Sequence, residues 1–177
     1  EDCPWREQAL YAMDMRNQAL CGYTAFGDPK FPAASLELLG RGLKPDGYLE
    51  LCAPAEISIT IPCFSMAWII ALADHLMYTG DIAFAAKQLE RVKLMLEIYH
   101  NSLDGGLLQL PVGKRYWHFY EWADGLEGSH SPSVQPARKD ASLNLFYSLA
   151  LEAASKLAHY CGEQELADSA AQQQLAL

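Results

Sequence analysis

From Ile61 to Thr79 the chain carries apolar side chains on every helical face: Phe64, Met66, Trp68, Ile69, Ile70, Leu72, Leu76 and Met77 follow no single stripe. A helix with no polar face has to be packed from all sides. Asp74 and His75 within it, and Gly80-Asp81 just past it, argue against a bilayer span, which takes about 20 predominantly apolar residues. Residues 82 to 101 behave differently. There Ala85, Leu89, Val92, Leu96 and Tyr99 form one stripe at i, i+4, i+7, i+11 and i+14, while Lys87, Glu90, Arg91, Lys93 and Glu97 cover the rest. The same alternation returns in a mostly apolar helix at 139 to 161 and a polar one from 163 onward.

Two more helices precede these. The spacing of Met13, Leu20, Tyr23 and Phe26 predicts one over 9 to 26, ended by Gly27-Asp28-Pro29. A second runs over 31 to 43, with Pro32 near its start, where a missing N–H costs nothing, and Gly42 and Pro45 at its end. Residues 48 to 60 have β-like content interrupted by Pro54, which predicts a loop or a short strand pair. A long connection then occupies 103 to 138, and loops of that length in a compact domain are uncommon unless they work. The chain therefore reads as all-α, with about six helices in pairs and long functional loops. Alternating all-buried and half-buried helices are what two concentric rings produce, and six helices make about half of a twelve-helix (α/α)6 toroid. An ordinary helical bundle gives a similar pattern, and periodicity leaves both open.

A formal net charge of -9 excludes the basic face that a nucleic-acid backbone requires, so a neutral ligand fits better. The five cysteines, at 3, 21, 52, 63 and 161, form no close pair, and they are expected to be mostly buried thiols and not a disulfide framework or zinc site. No two of the five histidines stand at i, i+4 on one helix, and the acids after residue 121 lack the regular run of a calcium loop, so no metal or cofactor is expected. The opening Glu1-Asp2-Cys3-Pro4 has no basic or apolar run, so no signal peptide or membrane partner is expected from it.

Two places group chemistry. Glu7, Tyr11, Asp14 and Gln18 fall at i, i+4, i+7 and i+11, so a helix reaching back to Glu7 would put two carboxylates and a phenol on one face. Neighbouring carboxylates resist simultaneous ionisation, and a carboxyl held protonated near neutral pH is what a general acid requires. A solvated acidic stripe is the plainer reading of the same spacing. The tract Tyr116 to Trp122 sets five aromatic residues around Glu121. Aromatic faces stack on the C–H faces of sugars and acids accept hydrogen bonds from their hydroxyls, which suits a carbohydrate; a hydrophobic cluster under a long loop would look alike. Asp74 and His75 read as a satisfied core pair or a rim position and not as catalytic groups.

The run Asp2-Cys3-Pro4-Trp5-Arg6-Glu7-Gln8-Ala9-Leu10-Tyr11-Ala12-Met13-Asp14 resembles the acid-rich signature of the family 78 α-L-rhamnosidases. Ile61 to Asp81, closing on Tyr78-Thr79-Gly80-Asp81, is similar to that family's next inner helix, and Tyr120-Glu121-Trp122 to its Gly-Asp-Trp loop. The resemblance spans essentially the whole chain. It implies that residues 1 to 177 are part of a six-hairpin catalytic domain, incomplete at both ends, whose remaining barrel is its missing partner. It further implies Glu7 as the catalytic general acid, Asp2 and Asp14 holding sugar hydroxyls, and Tyr11, Phe64 and Trp122 lining the sugar pocket beside Glu121. Tyr11 and Phe64 stand where tryptophan is usual in the family. The family inverts, so a second carboxylate activates water, and the resemblance places it outside this chain, leaving the chain alone inactive. A glucosidase- or trehalase-like six-hairpin enzyme, or a non-catalytic carbohydrate-binding helical domain, would share much of this pattern.

Overall fold

Six helices occupy the described residues of the computed structural model, which are 3–53, 55, 57–128 and 138–177. They are α1 (Ala12–Phe26), α2 (Lys30–Arg41), α3 (Pro62–Thr79), α4 (Ile82–Asn101), α5 (Ala141–Tyr160) and α6 (Gln164–Leu175). Strands β1 (Leu103–Asp104) and β2 (Leu107–Leu108) form a small antiparallel hairpin after α4, with Leu103 opposite Leu108. No helix among the described residues is long and apolar enough to cross a membrane.

Local signals place the middle helices well. Pro62 sits in the first turn of α3, where its missing N–H has no helical acceptor to lose. Gly80 ends α3 at φ 69°, a left-handed conformation that costs glycine nothing. Asp81 then caps α4, its carboxylate accepting the Phe84 N–H at 2.9 Å, a cap worth about 1 kcal/mol.

The helices form two layers. α1, α3 and α5 pack side by side, α1 on α3 and α3 on α5. Behind them α2 rests on α1 and α3, α4 on α3 and α5, and α6 on α5. The middle helix of the first layer is thus packed on both sides and from behind, and twelve of the 18 residues of α3 are buried, including the unbroken run Pro62 to Ile69, while Met77 and Tyr78 near its end stay exposed. In α4 the buried residues follow one stripe, Ala85, Gln88, Leu89, Val92, Met95, Leu96 and Tyr99.

Buried aromatic side chains bolt the layers together through their polar ends. Trp68 Nε1 donates to Leu36 O of α2 at 2.9 Å, Tyr99 Oη to Gly47 O at 2.8 Å, and Tyr147 Oη to Gln173 Oε1 of α6 at 3.2 Å. Each such ring removes a large apolar area from water while its one polar group stays satisfied.

The segments leading into the three first-layer helices are tied to one end of the layer. Tyr11, just before α1, bridges to Cys52; Thr60, before α3, bridges to Tyr116; and Lys139, before α5, bridges to Gln109. The described residues 48–53, 55 and 57–60 therefore form a laced loop and not a strand pair, with Leu51 N–H donating to Ile59 O at 3.0 Å and Leu49 N–H to Ser65 Oγ at 2.9 Å. Thr60 Oγ1 donates to Leu49 O. Among the described residues two apolar faces stay open: Leu145 (67% exposed) and Leu149 beside a cleft of about 650 Å³ between α3 and α5, and Phe26 and Phe31 beside one of about 280 Å³ between α1 and α2. The cysteines are all free, but only Cys52 and Cys63 are fully buried, so burial of the set is less general than expected.

The contact between α2 and α3 has no room to spare. A methyl group at Gly40 would stand 2.7 Å from Trp68 Cζ2, and the indole is pinned by its bond to Leu36. Gly40→Ala is expected to destabilise the protein by about 1–3 kcal/mol despite alanine's better helix propensity. Thermal unfolding checks this; an unchanged midpoint would show that the ring moves aside.

Candidate functional site

At the laced end of the first layer lies a cavity of about 350 Å³. Among the described residues three acids line it, Glu7, Asp14 and Glu121, together with Arg6 and Asn17. Its apolar wall is aromatic: Tyr11, Phe64, Trp117, Phe119, Tyr120 and Trp122. Every site residue expected from the sequence and lying among the described residues is thus on this one cavity. Asp2, the remaining one, lies outside the described residues.

The route by which Glu7 arrives differs from a continuous helical face. α1 begins only at Ala12, with Tyr11 as its N-cap residue, so Glu7 is not helical. Residues 4–7 form a turn around Cys3, whose Sγ accepts the Arg6 N–H at 3.3 Å and the Glu7 N–H at 3.5 Å, while Gln8 N–H donates to Cys3 O at 3.2 Å. Gln8 adopts φ 54° and steadies itself by donating from Nε2 to Pro4 O at 2.7 Å. This left-handed residue reverses the chain and swings Glu7 over the cavity. Gln18, placed on the same face by helical spacing, lines the cleft between α1 and α2 instead. The shared-face expectation is corrected for Glu7 and Gln18, although Glu7, Tyr11 and Asp14 do converge.

Glu7 is 41% exposed at the mouth, with its Oε1 3.5 Å from Arg6 Nη2. Asp14 lies in the first turn of α1, where the helix dipole favours a carboxylate. The aromatic wall is a chain of edge-to-face contacts. Tyr11 meets Phe64 at 6.5 Å and 71°, Phe64 meets Phe119 at 6.4 Å and 80°, and Phe119 meets Trp122 at 4.8 Å and 61°. Trp117 braces both of the last two, 4.8 Å from Phe119 and 5.8 Å from Trp122. Trp122 nevertheless stays 72% exposed, leaving much of the indole free for a ligand. Beside it Glu121 Oε1 accepts the Trp122 N–H at 2.7 Å, which holds the carboxylate against the turn.

Behind the aromatic wall Cys63 donates to Phe119 O at 3.2 Å, and burial pushes its thiol up to about 12, so it is no nucleophile at neutral pH. No group of three or more His, Cys, Asp or Glu among the described residues could hold a metal ion. Acids and an aromatic platform around a roomy, half-open hollow can hold a polyhydroxylated ring by stacking and hydrogen bonds. The larger cleft between α3 and α5 is apolar by comparison, lined by Ile70, Met77, Leu149 and Leu157.

Arg6, Asn17, Trp117, Phe119 and Tyr120 join the lining without having been singled out from the sequence. Asn17 follows Asp14 by three residues on α1, a spacing that could have found it. The aromatic residues lie within the tract marked above, but which of them face the cavity depends on the loop's folding.

Six helices in two layers, with loops and acids gathered at one end, define half of a double-ringed α/α toroid with a pocket at its rim. The chain matches, over residues 1–176, the family described as the bacterial alpha-L-rhamnosidase 6 hairpin glycosidase domain. It is similar to the crystal structure of a GH78 family rhamnosidase of Bacillus sp. GL1, with a TM-score of 0.84 and 29% identity over 99% of this chain and 17% of that one. No curated protein matches it. The chain belongs to the bacterial α-L-rhamnosidase six-hairpin glycosidase domain family.

Two buried histidines make the folded state sensitive to acid. His75 accepts or shares a proton with Tyr23 Oη at 2.8 Å, but its Nε2 finds no partner among the described residues; neither does Nδ1 of His118, beside the cavity wall. Burial lowers the pKa of both below the usual 6.5, with Arg138 adding to the effect at His118. A lowered folded pKa means the unfolded chain binds the proton more readily. Their contribution is therefore fully present above 6.5 and is lost as pH falls through that value towards the folded pKa. Unfolding midpoints should be flat above neutrality and drop below about pH 6.5. His118→Gln should flatten that drop, and an unaltered slope would show that His118 is not titrating.

Proposed function

We propose that the full-length protein is a glycoside hydrolase that removes terminal α-L-rhamnose, or a closely related sugar, by inverting acid/base hydrolysis. Residues 1–177 span 17% of the length of the similar rhamnosidase, so the activity belongs to a larger polypeptide. The observation that carries this reading is the convergence of Glu7, Asp14 and Glu121 with Tyr11, Phe64 and Trp122 on one cavity.

Glu7, at the mouth, is the general acid that delivers its proton to the glycosidic oxygen as the bond to the anomeric carbon breaks. Asp14 and Glu121 accept hydrogen bonds from the sugar hydroxyls, and charged acceptors make such bonds strong. Trp122 offers its exposed face to the ring, while Tyr11 and Phe64 close the pocket beneath. The base that activates water on the opposite face comes from outside residues 1–177. In inverting enzymes it stands about 6.5–9.5 Å from the acid, leaving room for that water. Tyr11 and Phe64 stand where the family usually has the larger tryptophan, and that difference is why the reading extends from rhamnose to related sugars.

Glu7→Gln in the full-length protein separates this reading from a binding module. Proton donation contributes about 10²–10⁴ in rate, and it matters most when the leaving group is a poor one. The variant should lose about that factor on an alkyl rhamnoside and much less on a nitrophenyl rhamnoside, whose leaving group departs without help. Undiminished turnover of the alkyl substrate would sink the assignment. Sugar binding without turnover by the unaltered protein would instead establish a carbohydrate-binding domain.

A further inference from the structure

The turn that carries Glu121 and Trp122 is rooted on α5 through Tyr120, whose side chain also belongs to the cavity wall. Tyr120 stacks on Phe146 of α5 with ring centres 6.4 Å apart and planes at 14°. Its hydroxyl donates to Asp140 Oδ1 at 3.0 Å, and its N–H donates to Leu126 O at 2.8 Å. The same Leu126 carbonyl accepts the Glu121 N–H at 3.3 Å, and the Leu126 N–H closes back on Ala123 O at 2.8 Å. Residues 120–126 are thus one closed turn, exposed from Glu121 onward and anchored through Tyr120.

The anchor is itself part of a helix. Asp140 is the N-cap of α5, and the oxygen that receives Tyr120 also accepts the N–H groups of Ser142 at 2.9 Å and Leu143 at 3.2 Å. A charged acceptor makes such bonds stronger than neutral ones. Burial, and after it the Asp140 charge, push the Tyr120 phenol well above the ordinary tyrosine range, so it stays a donor at any working pH. One carboxylate oxygen joins the sugar-facing turn to the start of a first-layer helix, across 20 residues of chain.

We propose that the Tyr120–Asp140 pair is a positioning device: it sets where Glu121 and Trp122 stand in the cavity and thereby the affinity for the sugar, without taking part in bond cleavage. This rests on the hydrolase reading above. Glu121 and Trp122 grip the sugar in the ground state and the transition state alike, so loosening their root weakens uniform binding, which raises KM and spares kcat.

The pair can be cut from either side in the full-length protein. Tyr120→Phe removes only the hydroxyl. Asp140→Ser keeps a good N-cap but is too short to reach the tyrosine, whereas Asp140→Asn retains an oxygen for all three donors. Tyr120→Phe and Asp140→Ser are expected to raise KM for an aryl rhamnoside about three- to tenfold, the worth of one hydrogen bond, with kcat within about twofold. The double variant should be no worse than either single one, because a single interaction is lost. Asp140→Asn should restore the unaltered KM. Hydrogen exchange should accelerate in residues 120–126 in both disrupting variants and nowhere else.

Unchanged KM and exchange in Tyr120→Phe overturn the proposal. So does a defect confined to Asp140→Ser, which the helix cap alone would explain, or a loss of kcat equal to that in kcat/KM. Should the unaltered protein cleave no aryl glycoside, the hydrolase reading fails on its own. Exchange in residues 120–126 then still decides the pair, faster exchange supporting it and unchanged exchange overturning it.

Discussion

Everything in this structure leans on one helix whose first half, Pro62 to Ile69, gives no face to water. α3 is flanked by α1 and α5 and backed by α2 and α4, and its Trp68, Met66, Ala67 and Ile69 are fully buried. Burying a large apolar side chain contributes about 1.5–3 kcal/mol, so a helix built this way is stable only with neighbours on all sides. Two layers follow directly from that need. The hydrogen bonds from Trp68 to Leu36 and Tyr147 to Gln173 then tie one layer to the other, and that from Tyr99 to Gly47 ties α4 to the loop after α2, because each buried polar group is expensive to leave unpaired.

The cavity is a by-product of how the layer is entered. The chain reaches α1, α3 and α5 through extended segments that bridge to one another's loops at the same end. Phe64 projects there from the first turn of α3 and Asp14 from the first turn of α1, while the aromatic turn is laid across them. Loops carry the varied chemistry and a rigid helical floor holds it, a division of labour that lets binding residues change without unsettling the core. Arg115 adds a strut, its Nη1 3.1 Å from Asp46 Oδ2, beside the Tyr116 hydroxyl that donates to the same oxygen at 2.6 Å.

Much of the helical scaffold was legible in the sequence because its signals are local. α4 spans the predicted residues, with Asp81 and Gly80 marking the junction, and α3 differs by one residue at its start. The all-apolar and one-sided patterns separated α3 and α5 from α4 and α6, which do lie in different layers, but did not place α1 and α2. What escaped depends on contacts far apart in sequence or on unusual backbone. Nothing in a helical spacing rule announces that Gln8 turns left-handed around the Cys3 sulfur, so Glu7 was put on a helix face it does not occupy and Gln18 on the wrong side of α1. The convergence of Glu121 and Trp122 with Asp14 needs the bridge between Thr60 and Tyr116, and the root of their turn needs Asp140, twenty residues on. Phe64, a pocket residue that no pattern marked, came from the resemblance to a known family, whereas Asp140 came from neither.

The most direct measurement is a crystal structure of the full-length protein, with Glu7→Gln to halt turnover, soaked with a rhamnoside. The expected result is a sugar ring stacked on Trp122, its hydroxyls on Asp14 and Glu121, and its glycosidic oxygen within about 2.6–3.2 Å of residue 7. A sugar seated in the apolar cleft between α3 and α5, or a glycosidic oxygen turned away from residue 7, would contradict the assignment of this cavity.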